Sequence, residues 1–117
     1  MPNIAGLKSV LVVDDDEQIR TLLKRYLEKG GYEVVGEAAD GNDAIVKASK
    51  VKPDFVLLDN EMPSLSGEDA AGRIRAAAGQ TLIVAVSGSL TSRPTWSDAF
   101  LNKTGLGMVS ELLDILA

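Results

Sequence analysis

Three runs of apolar residues constrain this chain most: "SVLVV" at 9–13, "FVLL" at 55–58 and "LIVAV" at 82–86. Each is nearly continuous rather than alternating, as expected of strands covered on both faces. Two further runs, "YEVVGEA" at 32–38 and "DAFL" at 98–101, bring the number of expected strands to five. Helical spacing fills most of the gaps. In "DEQIRTLLKRYLEKGG", Ile19, Leu22, Leu23, Tyr26 and Leu27 fall on one face, and Gly30 and Gly31 supply the stop. "DGNDAIVKASKVKPD" offers Asp40 as an N-cap, with Ala44, Ile45 and Ala48 on one face. "GEDAAGRIRAAAGQ" aligns Ala70, Ala71, Ile74, Ala77 and Ala78, and "LGMVSELLDILA" aligns Met108, Val109, Leu112, Leu113 and Leu116.

Strand and helix alternating in this way predict an α/β fold, a parallel sheet with helices on both sides. Its 117 residues are one domain's worth, spanning 1–117 with a core near 8–116. No linker, repeat or low-complexity tract divides them. One crossover departs from the pattern. Residues 87–97, "SGSLTSRPTWS", have no helical period and contain Pro94, so a loop with at most a turn of helix is expected there.

In a doubly wound sheet, ligands bind at the carboxyl ends of the strands. Just past those ends lie Asp14, Asp15, Asp16 and Glu17, then Asp59, Ser87 and Lys103. Each has an ordinary explanation when taken alone. Acids in a first helical turn complement the helix dipole, Asp16 is a natural N-cap, a strand-end Asp opens a turn, and a lone lysine is usually solvated. Their joint placement at successive strand ends is the stronger signal. The chain has no histidine and no cysteine, so the commonest general base, the usual zinc ligands and thiol chemistry are all missing. Clustered carboxylates that cannot separate call for a divalent cation, and oxygen-only ligands favour Mg²⁺. A hydroxyl and a lysine suit an anion's oxygens. Together these groups are equipped for phosphoryl transfer, with a carboxylate as the acceptor.

"VLVVDDDEQIR", "AADGNDAI", "KPDFVLLDNEMPSLSG", "VSG" and "DAFLNK", taken in order, resemble the receiver domain of bacterial two-component response regulators. The most specific piece is "PDFVLLDNEMPSLSG". The resemblance implies a flavodoxin-like doubly wound sheet of five parallel strands in the order 2-1-3-4-5; the segment between Ser87 and Lys103 is shorter than the family's, so a shortened or missing fourth helix is expected there. It makes Asp59 the phosphoryl acceptor, charged from a phosphohistidine on a sensor histidine kinase or a histidine phosphotransfer protein. It makes Asp15 a direct Mg²⁺ ligand and Asp14 largely a water-mediated one, with Asp59 and the backbone carbonyl of Glu61 completing the protein's share. Ser87 and Lys103 would each hold a phosphoryl oxygen, and Phe100 would swing inward when Ser87 moves.

The same resemblance implies a signalling switch rather than an enzyme. It would act in the cytoplasm through a homodimer or a downstream effector protein, as a free-standing receiver, a relay intermediate or part of a longer regulator. The net charge of −5 argues against a nucleic-acid or anionic-lipid partner, and "MPNIAGLK" lacks the pattern of a secretory signal. Two other readings compete. One is a receiver-like interaction module that is never phosphorylated. The other is a small flavodoxin-like enzyme or nucleotide binder, opposed by the lack of a Gly-rich loop after the first strand.

Three local features carry further expectations. Thr104 stands where the family usually has a cis proline, so a trans bond is expected and the reach of Lys103 becomes an open point. Glu61 brings a carboxylate to the pocket mouth, where it is expected to tune the life of the phosphoryl group. Pro63 pushes Met62 toward an extended conformation, and Gly67 is expected to allow an unusual backbone at the start of the third helix.

Overall fold

The computed structural model describes residues 8–117, so the reading of the N-terminal stretch as free of a secretory signal lies almost wholly outside them. β1 (Ser9–Val13), β2 (Glu33–Ala38), β3 (Phe55–Asp59), β4 (Leu82–Ser87) and β5 (Ala99–Asn102) form one parallel sheet in the order β2-β1-β3-β4-β5. The helices are α1 (Glu17–Lys29), α2 (Gly41–Val51), α3 (Gly67–Ala78) and α4 (Val109–Leu116). No helix among the described residues is long and apolar enough to cross a membrane.

The continuous apolar runs become the three central strands because successive side chains leave a strand on opposite faces. Val10, Val12, Phe55, Leu57, Val84 and Val86 face one layer, closed by Leu23 and Leu27 of α1 and by Val109 and Leu113 of α4. Leu11, Val13, Val56, Leu58 and Ile83 face the other, closed by Ala44 and Ala48 of α2 and by Ala70, Ala71 and Ile74 of α3. Burying one such Val or Leu stabilises the fold by roughly 1.5–3 kcal/mol relative to leaving it exposed. β2 is only half-buried along most of its length, as befits a sheet edge.

The expected helix signals act as read. Asp16 caps α1 by accepting from the Gln18 amide at 2.8 Å, and Asp40 caps α2 by accepting from the Asp43 amide at 2.8 Å. Gly30 ends α1 with its amide on the last carbonyls, and Gly31 then turns the chain at φ 90°. Two large members of the predicted apolar stripes are exposed. Tyr26 is 37 % exposed and Met108 is 55 % exposed. Met108 ends a 3₁₀ segment, Lys103–Met108, whose threefold winding interrupts the 3.6-residue period before α4 starts.

The β4–β5 crossover contains no helix, as expected. The ring of Trp96 packs against the α2–α3 layer instead. A polar clamp holds the loop in place. The Arg75 guanidinium donates to the Trp96 carbonyl and to the Asp98 carboxylate, both at 3.0 Å. The same Asp98 oxygen accepts from the Ile83 amide at 2.8 Å, and the Asp98 amide donates to the Ile83 carbonyl at 2.7 Å. The expectation for Gly67 needs correction. Its φ is not positive, and the glycine is required by space, since a Cβ there would lie 2.7 Å from Trp96 Cζ2. The ring supplied by the helix-free β4–β5 crossover therefore limits which residue can open α3.

There is no cis peptide bond among the described residues, so the bond to Thr104 is trans as expected. Asn102 organises the turn that follows β5. Its side-chain oxygen accepts from the Thr104 amide at 2.9 Å and the Thr104 hydroxyl at 2.8 Å.

Candidate functional site

Parallel strands carry their carboxyl ends to one edge, and there the sheet assembles residues from distant parts of the chain. Asp14 follows β1 and Asp59 ends β3; they are 1 % and 0 % exposed. Asp15 stands beside them, open to solvent. Asp14, Asp15 and Asp59 each offer one oxygen, and these oxygens all lie within 4.8 Å of one another. Lys103, delivered by the turn after β5, brings its ammonium to 3.3 Å from Asp14 Oδ2 and to 3.3 Å from Asp59 Oδ1. The substitution of Thr104 for proline thus leaves the lysine within reach of both acids.

Backbone donors orient the two buried carboxylates. The Asp16 amide donates to Asp14 Oδ1 at 2.9 Å, and the Glu61 amide donates to Asp59 Oδ1 at 3.0 Å. The other two oxygens are poorly satisfied. Asp14 Oδ2 takes no well-aligned hydrogen bond, only the neighbouring Lys103 charge, and Asp59 Oδ2 has no partner at all. A buried carboxylate oxygen left in that state is costly unless a cation meets it. The acidic cluster could hold a metal ion, and the orphaned oxygens give it a place to bind.

The electrostatics follow from the burial. Desolvation, aided by the charge of Asp14, pushes the Asp59 carboxyl up to about 6, against the pull of its backbone hydrogen bond and of Lys103. Burial raises Asp14 as well. Burial alone would lower Lys103, but the two facing carboxylates raise it, so it stays a firm cation.

Ser87 ends β4 at the same edge, fully buried. Its hydroxyl does not face Asp59; it donates to Glu61 Oε2 at 2.6 Å. The Gly88 amide reaches Glu61 Oε1 at 3.3 Å. Burial would raise the Glu61 carboxyl, but hydrogen bonds from Ser87, Asn60 and Gly88, together with Lys103, hold it below the usual range. Phe100 lies on β5 beside Ala85, half-buried, two residues before the Asn102 that pairs with Ser87.

One group at this edge carried no signal in the sequence, and one contact of an expected group was not foreseen. Arg20 of α1 donates to the Asp14 carbonyl at 2.7 Å and pairs with Glu37 at 3.2 Å, tying β1 to β2 just below the acids. The Glu61 carboxylate was expected at this edge, but its bond to Ser87, 26 residues later in the chain, was not. Arg20 sits among polar helix positions with nothing to distinguish it.

Known proteins match this arrangement. The family model for the response regulator receiver domain covers residues 10–104. The chemotaxis protein CheY of Thermotoga maritima is 46% identical over 67 residues, 57% of this chain and 56% of that protein. The alkaline phosphatase synthesis transcriptional regulatory protein PhoP of Bacillus subtilis is 46% identical over 68 residues, 58% of this chain and 28% of that protein. This chain therefore spans about half the length of the first relative and about a quarter of the second. Among solved structures, the response regulator domain of Thermotoga maritima CheB superposes with a TM-score of 0.81 at 31% identity, over 94% of this chain and 93% of that one. Vibrio cholerae CheY4 superposes with a TM-score of 0.82 at 26% identity, over 95% of this chain and 99% of that one.

Proposed function

This chain belongs to the response regulator receiver domain family, and on that premise we propose that it is a phosphoryl-accepting switch whose acceptor is Asp59. The observation that carries the reading is the meeting of three carboxylates and Lys103 at one strand edge. A nucleophilic oxygen of Asp59 attacks phosphorus, an O–P bond forms, and the P–N bond of a phosphohistidine donor breaks. The imidazole leaves with the bonding electron pair and takes up a proton, and the product is an acyl phosphate on Asp59.

Mg²⁺ is the cofactor this reading needs; Asp15, Asp59 and the Glu61 carbonyl would hold it directly and Asp14 largely through water. When bound there it supplies charge neutralisation for the carboxylates and for the phosphoryl oxygens. Lys103 stays charged throughout and pairs with a phosphoryl oxygen. The backbone bonds to Asp14 and Asp59 keep both carboxylates in place before the donor arrives, so little reorganisation accompanies the transfer. Ser87 donates to a further phosphoryl oxygen once its hydroxyl turns from Glu61. Phe100, on the adjoining strand, then relays that movement to the surface.

The chemistry is confined to the protein's own phosphorylation and hydrolysis of the product, which makes it a switch. Its donors would be a sensor histidine kinase or a histidine phosphotransfer protein. Its output would pass to an effector protein or a second copy of the chain, and a cysteine-free chain is compatible with the proposed cytoplasmic setting. Incubation with Mg²⁺ and a small acyl-phosphate donor, followed by intact mass, tests the reading. One added phosphoryl group per chain that needs Mg²⁺ is the expected result. No addition from any donor or kinase would favour an unphosphorylated interaction module.

A further inference from the structure

The Ser87 hydroxyl has one proton, and that proton points at a carboxylate of this same chain. Its lone pairs are also engaged, accepting from the Leu90 amide at 3.0 Å and the Ser89 amide at 3.1 Å. Those two bonds hold the oxygen in this resting position, where its proton is directed by whichever acceptor stands in front of it. Beside it the Gly88 amide offers a second donor. The Glu61 carboxylate takes both, one oxygen to each.

A hydroxyl and an amide side by side form a small cradle for an anion's oxygens. The phosphoryl group proposed for Asp59 needs donors of this kind from the end of β4. We propose that the Glu61 carboxylate is a resident anion in the Ser87–Gly88 cradle, one that must leave before a phosphoryl oxygen can enter, so that Ser87 changes between two anionic partners.

The two sides of the contact differ in mobility. Ser87 is fully buried at a strand end, whereas Glu61 is solvent-exposed. The Glu61 backbone is pinned by its amide bond to Asp59 Oδ1, so only the side chain needs to swing, outward into water. An arriving phosphoryl group repels the Glu61 carboxylate and competes for its donors at once. Glu61 is therefore a positioning residue. It holds Ser87 in the inactive orientation and couples departure of the carboxylate to occupation of the acceptor two residues earlier.

This inference rests on the function proposed above, and beryllofluoride, a non-covalent mimic of an aspartyl phosphoryl group, tests it on the whole chain. Affinity in Mg²⁺ is followed through amide resonances at Gly88 and elsewhere. Glu61→Ala is expected to bind about tenfold tighter than the natural chain, the scale of one charge-assisted hydrogen bond. Glu61→Gln retains an uncharged acceptor for Ser87 and is expected to fall between the two. With Ser87→Ala in place, the gain from Glu61→Ala should shrink to about twofold or less, because the two residues act as a pair. An undiminished gain in that background would mean bulk charge repulsion alone and would overturn the clasp. Equal affinity of the natural chain and Glu61→Ala would overturn it while leaving the proposed function standing. Failure of both to bind would remove the proposed function and this inference together.

Discussion

Two connections in this molecule solve opposite problems. At the carboxyl ends of β1 and β3, the fold buries two aspartates next to a third acid and leaves oxygens without partners. Between β4 and β5, it extends the α2–α3 face without a helix in the connection, using one indole ring and an arginine–aspartate clamp. The first region accepts an electrostatic cost in order to hold a site. The second recovers packing and hydrogen bonds from a sequence with no helical period. The contrast shows that the receiver sheet is supported by whatever closes its faces, whereas its chemistry depends on side chains that the fold could shed and become more stable.

The largest effect expected of this contrast lies at Asp59. Asp59→Asn should abolish phosphoryl incorporation measured by intact mass, while Trp96→Ala should retain it. The metal-free fold offers the next test. An Asp59 carboxyl raised from 3.8 to about 6 favours the protonated form in the native state. That contribution is fully present below about pH 4 and is lost as pH rises through about 6. Denaturant unfolding without Mg²⁺ should show stability falling across this window by up to about 3 kcal/mol. Asp59→Asn should flatten the fall and exceed the natural chain in stability at neutral pH.

Smaller effects belong to the scaffold. Trp96→Ala should cost about 2–3 kcal/mol, less than a fully buried indole because the ring is only half-covered. Its unfolding midpoint should drop with Mg²⁺ affinity nearly unchanged. Asp16→Ala removes the cap of α1 and should cost about 1 kcal/mol in the same unfolding assay. A loss of Mg²⁺ binding in that variant would show that Asp16 serves the acidic edge through its side chain as well.

Much of the fold was legible because its signals are local. Continuous apolar runs became the central strands, Asp16 and Asp40 capped the helices they precede, and the missing period after Ser87 gave a crossover without a helix. The convergence of Asp14, Asp15, Asp59 and Lys103 followed from parallel topology, which turns strand ends into neighbours. What stayed hidden depends on contacts across the chain. Gly67 is a glycine because of a ring 29 positions later, which no reading of its own turn could reveal. The Glu61 carboxylate lies in a segment with neither helical nor strand period, so nothing in its surroundings pointed to Ser87. Met108 satisfied a helical stripe that the 3₁₀ winding then displaced.

Asp59 is the proposed acceptor among three neighbouring aspartates. Borohydride reduction of the phosphorylated chain converts an aspartyl phosphate into homoserine, and peptide sequencing by mass spectrometry then locates that residue. Homoserine at position 59 alone is the predicted outcome. Homoserine at position 14 or 15, or at no aspartate of a chain that carries phosphate, would contradict it.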